Sequence, residues 1–147
     1  PIVRDAALCE IHMGELQGRH RDARDAEAQA LWARWQAEPW SFRVPGGERF
    51  DEFTQRVGAA LHAILQRHAG QRVLVVGHGA TNRVLLGTLL AWPRERWFEL
   101  RPRNKFCSRL QLGEGLPRIA TYMLGGRRSG RCEEGFVNGS DPPTTDP

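Results

Sequence analysis

One histidine of this sequence occupies a position from which its imidazole can bind a phosphate group or exchange protons with it. His78 lies between two glycines, after the apolar run Val73–Val76 and before a second apolar run, Val84–Leu90. This order predicts a strand buried on both faces, a tight turn and a buried helix. The turn then places the imidazole at the carboxyl end of a strand, beside a helix N-terminus whose N–H groups favour anions. Near neutral pH, a histidine held there can exchange protons with phosphate.

The same turn has two other interpretations. A histidine in a glycine turn can simply be a core or turn residue. Gly77-His78-Gly79 also resembles the start of the Gly-x-Gly-x-x-Gly turn that binds dinucleotides, but Asn82 stands in place of the third glycine. No strand with a terminal acid follows about 20 residues later, because Ala91-Trp92-Pro93 intervenes. The dinucleotide interpretation is therefore disfavoured.

A second candidate for chemistry is the carboxylate of Glu10. It follows a short apolar stretch and precedes a loop punctuated by Gly14 and Gly18. At the mouth of the same sheet edge, a carboxylic acid can donate a proton to a leaving oxygen. Glu15, which lies inside the loop, is better explained as a surface acid.

The remaining elements follow from apolar periodicity. Helices are predicted over Asp22–Ala37, before Pro39, and over Glu48–His68, where large apolar residues recur at steps of three and four. Two short strands are predicted over Lys105–Leu112 and Arg118–Leu124. Residues 125–147 are rich in Gly, Ser, Pro, Thr and charge, which predicts a disordered tail. The folded domain is therefore expected within residues 1–124.

Composition narrows the class of protein. A chain of 147 residues with 40% apolar and 26% charged content can form one domain with a core. The formal net charge is +4, and Lys105 is the one lysine beside the arginines. Much of this basic charge is interleaved with acids, which indicates a solvated surface more than a nucleic-acid interface. Cys9, Cys107 and Cys132 form no pair with the spacing of a zinc site or a disulfide framework. We expect a cytoplasmic protein with no nucleic-acid or membrane partner.

Several segments in a fixed order resemble the histidine phosphatase family, also called the phosphoglycerate mutase-like superfamily. The first is Leu-x-Glu-x-x-x-Gly-x-x-x-Gly at Leu8–Gly18, and the second is Pro-Gly-Gly-Glu at Pro45–Glu48. After a helix, Val-Leu-Val-Val-Gly-His-Gly follows at residues 73–79. The order and spacing of these segments are far more specific than any one of them, and the resemblance extends over about residues 1–124.

The resemblance implies a three-layer α/β/α sandwich and a phosphohistidine mechanism that needs no metal and no cofactor. His78 matches the second histidine of the family, which contacts the transferring phosphoryl group, and the N–H of Gly79 helps to hold the phosphate. Glu10 matches the acid that protonates the leaving alcohol. Asn104, near a position where relatives often carry a polar residue, is a candidate substrate contact.

One part of the family pattern does not occur in this sequence. Family members begin with a strand that ends in Arg-His-Gly, whose histidine is the nucleophile, and no such string stands among the 147 residues. The nearest strings, Arg19-His20-Arg21 and Arg67-His68-Ala69, follow no apolar strand. We therefore expect a domain that is incomplete at its N-terminus. A strand outside this sequence would then lie beside Val73–Val76, because a strand buried on both faces needs neighbours on both edges.

The function predicted from these observations is that of a phosphomonoesterase acting on a small phosphorylated metabolite, with this chain inactive for want of the nucleophile. A phosphoglycerate mutase is the first alternative, disfavoured because only a short connection joins Gly18 to Gly46-Gly47. The second alternative is a non-catalytic protein that binds phosphorylated ligands or a partner. The sequence indicates neither the individual substrate nor the oligomeric state.

Overall fold

The computed structural model describes residues 2–19, 25–102, 106–113, 117–123 and 130–131, and its backbone divides into two units with separate cores. The units are Pro1–Gly77 and His78–Pro147. One core of the first unit consists of Leu16, Ala28 and Val44, packed against Met13, Leu31, Trp32, Trp35 and Phe42. In the second unit, Leu86 and Leu100 are packed against Leu90, Trp92, Leu110 and Ile119. None of the helices formed by the described residues has both the length and the apolar character needed to cross a membrane.

The first predicted helix is confirmed as α1, Ala26–Ala37. It begins later than the predicted Asp22 because the side chain of Asp25 caps it, accepting a hydrogen bond from the N–H of Ala28 at 3.0 Å. Residues 20–24 lie outside the described part of the chain. Arg19 in turn donates to the Asp25 carboxylate, which ties the cap to the preceding loop.

The second predicted helix is confirmed as α2, Phe50–Arg67. Its side chains Phe50, Phe53 and Val57 are fully buried, as the steps of three and four predicted. The ring of Trp40 meets Phe50 edge-on at a centroid distance of 4.9 Å. The N-cap of this helix is Arg49. The N–H of the preceding Glu48 donates to the carbonyl of His12 at 2.8 Å.

The second unit contains helix α3, Gly79–Leu89, and a three-stranded antiparallel sheet. The strands are β1, Phe106–Gln111, β2, Arg118–Met123, and β3, Gly130–Arg131, paired in that order. Strands β1 and β2 confirm the two predicted from the sequence, with Ser108 opposite Thr121. Of the expected tail, 125–147, only β3 belongs to the described residues, and the rest lies outside them.

The prediction of a buried strand at Val73–Val76 is wrong for this structure. Residues 72–78 form no helix or strand, and the exposed fractions of Val73, Leu74 and Val76 are 48%, 78% and 85%. A strand is buried on both faces only when neighbours pair with both of its edges. The described strands β1–β3 pair with one another and none pairs with this run. The expected neighbour from outside the sequence stays a prediction.

Two helical glycines allow a matched test of packing. A Cβ added to Gly87 in α3 would lie 2.6 Å from Cε2 of the buried Trp97, whereas one added to Gly58 in α2 would meet nothing within 4 Å. We expect Gly87→Ala to lower the free energy of unfolding by about 1–3 kcal/mol through overpacking. Gly58→Ala should raise it by about 0.5–1 kcal/mol, because alanine is the better helix former. Urea denaturation of the two variants checks both signs, and equal effects would contradict the packing around Trp97.

Because Asp25 caps α1 as a carboxylate, we expect part of the free energy of unfolding to be lost in acid. Hydrogen bonds from Arg19, then from the Ala28 N–H, hold the pKa of Asp25 below its ordinary value. A carboxylate whose pKa is lower in the folded state stabilises the fold above its unfolded pKa, and this stabilisation is lost as the pH falls through the folded value. Asn caps helices as well as Asp but carries no charge. Melting temperatures between neutral and acidic pH should therefore fall less for Asp25→Asn than for the wild type, and parallel curves would contradict this.

Candidate functional site

Glu10 lies in an irregular segment of the first unit. It follows the short 3₁₀ helix Ala6–Leu8 and precedes the buried Ile11. The Glu10 side chain is half-buried, and its Oε1 accepts a hydrogen bond from the N–H of Ile11 at 3.1 Å. Glu15 is exposed, as expected of a surface acid. Because no helix or sheet ladder holds the Glu10 backbone, its position depends on contacts with other segments.

The main contact of the Glu10 segment is with the Pro45–Glu48 turn. The N–H of Glu48 donates to the carbonyl of His12 at 2.8 Å, and the N–H of Glu15 donates to that of Pro45 at 3.0 Å. Gly14 has a φ of +50°, and a Cβ on it would lie 2.1 Å from the Pro45 oxygen. The first two of the three motif segments that carry the family resemblance are therefore joined directly through their backbones.

Arg56 is a residue at this site that the sequence reasoning missed. It lies in α2, and its guanidinium donates to both carboxylate oxygens of Glu48 and to the carbonyls of Ala7 and Cys9. The pKa of Arg56 is raised, chiefly by the hydrogen bonds with Glu48, with a smaller electrostatic contribution from Glu10. The only sequence signal was an arginine eight positions after the motif glutamate, which does not by itself indicate contact with residues 7–9.

His78 and Gly79 begin helix α3 in the second unit, as predicted. His78 is the N-cap residue with extended backbone, φ −95° and ψ 177°, and its carbonyl accepts the first helical hydrogen bond from Asn82 at 2.8 Å. Both residues are exposed. The N–H of Gly79 belongs to the first turn, where the helix dipole favours anions. The imidazole therefore stands at a helix N-terminus, but not at the end of a paired strand.

Two further residues complete the account, Arg83 of helix α3 and the candidate substrate contact Asn104. Arg83 donates from Nε to the carbonyl of Leu100 at 3.1 Å, and its guanidinium lies 5.2 Å from the ring centroid of Phe98, which gives it a packing role in the second unit. Asn104 lies outside the described residues. Glu10 belongs to the first unit and His78 to the second, so each is characterised within its own unit.

The chemical capacity of each unit follows from these groups. The first holds a half-buried carboxyl that can give or accept a proton, and the second holds an exposed imidazole at a helix N-terminus, suited to an anion. Within the described ranges, no three His, Cys, Asp or Glu side chains are grouped as metal ligands would be.

Comparison with known proteins identifies the family of this chain. The family model of the histidine phosphatase superfamily (branch 1) matches residues 1–124. The chain is 36% identical over 110 residues to a probable phosphoglycerate mutase, GpmB, of Klebsiella pneumoniae subsp. pneumoniae, a match covering 74% of this chain and 51% of that protein. A protein of the same name from Citrobacter koseri is 37% identical over 116 residues, or 78% of this chain and 54% of that protein. The chain spans about half the length of these relatives.

The backbone is similar to that of a solved phosphatase. It matches the crystal structure of the alpha-ribazole phosphatase from Shigella flexneri with a TM-score of 0.72 and 22% sequence identity, covering 88% of this chain and 63% of that one. At this identity the likeness shows the fold alone. It confirms the α/β class and the phosphoglycerate mutase-like fold expected from the sequence.

Alanine substitutions at two glycines near Glu10 distinguish the effect of backbone strain from that of a steric contact. Gly14 and Gly18 both have positive φ, +50° and +75°, but a Cβ on Gly18 would meet nothing within 4 Å. We expect Gly18→Ala to lower the free energy of unfolding by about 1 kcal/mol, from backbone strain alone. Gly14→Ala should cost about 2 kcal/mol more, since the turn at Pro45 must move away. Denaturation of both variants measures the difference, and equal losses would contradict the backbone contact.

Proposed function

Because the chain belongs to the histidine phosphatase superfamily, we propose that it carries the proton donor and the second histidine of a phosphomonoesterase. The substrate is a small phosphorylated metabolite, and the reaction proceeds through a phosphohistidine. The observation that supports this most is the family match over residues 1–124, which includes both Glu10 and His78. The position of His78 and Gly79 at the first turn of α3 agrees with a role in binding the phosphoryl group.

The proposed reaction has two steps, and its residue roles are those implied by the superfamily. A nucleophilic histidine forms a bond to phosphorus while the bond between phosphorus and the ester oxygen breaks, and Glu10 gives its proton to the leaving oxygen. Water then attacks phosphorus, the bond to histidine breaks, and a proton from the water returns to Glu10. His78 and the N–H of Gly79 stabilise charge on the transferring group.

The nucleophile of this reaction is not among the residues identified here. No Arg-His-Gly string occurs in the 147 residues, and neither His20 nor His68 follows an apolar strand. We propose that these residues alone hydrolyse phosphate esters at a negligible rate. The apolar side chains of Val73, Leu74 and Val76 are exposed. Exposed apolar runs of this kind are often covered by a partner, which supports the proposal that a further strand pairs with this run.

A phosphoglycerate mutase is the second candidate, and the names of the curated relatives favour it. The short connection between Gly18 and Gly46-Gly47 favours the phosphatase, because a more open pocket lets water compete with a second phosphoryl acceptor. The solved structure of an alpha-ribazole phosphatase shows that the fold serves phosphatases as well. A non-catalytic phosphate-binding protein is the third candidate.

The activity of the chain alone gives the first test. We expect no phosphate release from p-nitrophenyl phosphate above that of the buffer, because no Arg-His-Gly string stands in these 147 residues to supply the nucleophile. His62→Ala is the matched control for His78→Ala, since His62 is also exposed but lies in the middle of α2. Robust turnover that His78→Ala abolishes and His62→Ala retains would falsify the proposed inactivity.

The function itself is tested on the product of the whole reading frame that contains this chain, after sequencing the gene upstream of Pro1. We expect an in-frame apolar strand ending in Arg-His-Gly and phosphatase activity in that product. Glu10→Gln should lower kcat/KM by about 10²–10⁴-fold, the usual contribution of a general acid. The control Glu15→Gln should leave it unchanged.

The alternatives predict different results for the same product. Interconversion of phosphoglycerates faster than phosphate release would favour the mutase. A reading frame that starts at or near Pro1, with phosphate binding but no turnover, would favour the non-catalytic protein.

A further inference from the structure

Arg56 holds the backbone on the N-terminal side of Glu10. Its Nη1 donates to the carbonyl of Ala7 at 2.8 Å and to that of Cys9 at 3.2 Å. Ala7 lies in the 3₁₀ helix Ala6–Leu8 and Cys9 follows that helix, 49 and 47 positions before Arg56. One side chain on helix α2 thus fixes the direction from which the chain enters Glu10.

Glu48 holds the backbone on the other side. Its N–H donates to the carbonyl of His12 at 2.8 Å, and its Oε2 accepts from the N–H of His12 at 3.4 Å. Arg56 and Glu48 are joined by two parallel hydrogen bonds, from Nε to Oε1 at 3.0 Å and from Nη2 to Oε2 at 2.7 Å. The two side chains therefore form one bracket that contacts the backbone before and after Glu10.

The bracket requires an arginine. The planar guanidinium offers five N–H donors in a fixed fork, and here it bonds to a carboxylate with two of its nitrogens and to two carbonyls with the third. A lysine ammonium has three donors on one atom and cannot reproduce this pattern. The exposed fractions of the Arg56 and Glu48 side chains are 30% and 18%, so their hydrogen bonds compete less with water than surface pairs do. The guanidinium also lies 5.2 Å from the ring centroid of the buried Phe53, which limits its movement.

We propose that Arg56 is a positioning residue, which acts with Glu48 to set the place of the Glu10 carboxyl. The proposal rests on the proposed function in so far as Glu10 is the proton donor. General acid catalysis needs a donor within hydrogen-bond reach of the leaving oxygen, and small misplacements cost large factors in rate. Hydrogen bonds to the backbone on both sides of Glu10 restrict the position of its Cα, and thereby the place from which its side chain extends.

The bracket is tested first by amide hydrogen exchange on this chain, which requires no activity. In Arg56→Lys, the His12 and Glu48 amides should exchange about tenfold or more faster, from the usual strength of hydrogen bonds to charged groups. Amides in the middle of α2 should keep their wild-type rates. Arg43→Lys is the matched control, because Arg43 also bonds to a backbone carbonyl, of Gly47, and to a glutamate, Glu52. Unchanged rates at His12 and Glu48 in Arg56→Lys would overturn the proposal, as would equal acceleration throughout α2.

A second variant keeps the test valid if Arg56→Lys fails to fold. Glu48→Gln retains the backbone N–H that bonds to His12 but removes the charge that holds Arg56. We expect the same local acceleration at His12 with a smaller amplitude. Exchange at wild-type rates in a folded Glu48→Gln variant would count against the bracket.

The link to catalysis is tested on the whole reading-frame product by steady-state kinetics per folded molecule. Arg56→Lys should lower kcat about tenfold or more with KM little changed, because the proton donor is misplaced while phosphate binding is not. A purely structural role would reduce the amount of folded enzyme and leave kcat per folded molecule unchanged, and this result would overturn the proposal. A wild-type product without phosphatase activity would reject the proposed function and the catalytic role together, whereas the exchange result would still decide whether the bracket exists.

Discussion

Two stretches of backbone, at residues 12–15 and 45–48, approach closely enough to form direct backbone hydrogen bonds. The hydrogen bonds from Glu48 to His12 and from Glu15 to Pro45 require this close approach. Only glycine permits it at position 14, where both the positive φ and the space next to the Pro45 oxygen exclude a Cβ. Gly14 of the Leu8–Gly18 motif and Gly47 of the Pro45–Glu48 motif therefore lie on the two sides of one contact. Much of the first unit around Glu10 depends on it.

The arrangement of α2 follows from the same contact. The N–H and carboxylate of Glu48 are bonded to the His12 segment and to Arg56, and α2 begins just after it, where the Glu52 carboxylate accepts a hydrogen bond from the N–H of the N-cap residue Arg49 at 3.2 Å. The aromatic side of α2, with Phe50 and Phe53 fully buried, then packs in the first unit while Arg56 faces the residues before Glu10. Helix α2 thus contributes side chains to the core and, through Arg56, hydrogen bonds to the residues before Glu10. Other ion pairs of this unit, such as Arg43 with Glu52, are more exposed and contribute less to its structure.

The second unit presents a different balance between local and long-range structure. Helix α3 and the His78 cap are formed from adjacent residues, and their geometry is complete without a paired strand before them. The apolar run Val73–Val76 that precedes them is exposed, because no described strand pairs with it. The chain belongs to the histidine phosphatase superfamily and spans about half the length of the curated relatives it matches, and a pairing partner for this run stays a prediction.

The sequence by itself determined the features that depend on nearby residues. Helix spacing placed α1 and α2 to within a few residues, strand patterns placed β1 and β2, and the glycines around His78 placed it at a helix N-terminus. The motif order also indicated the family, since spacing along the chain is itself sequence information. Only the tertiary structure decided the exposure of Val73–Val76, the backbone contact at Gly14 and the bracket formed by Arg56 and Glu48. Each of these depends on residues brought together from distant positions, and neither periodicity nor local propensity carries information about such contacts.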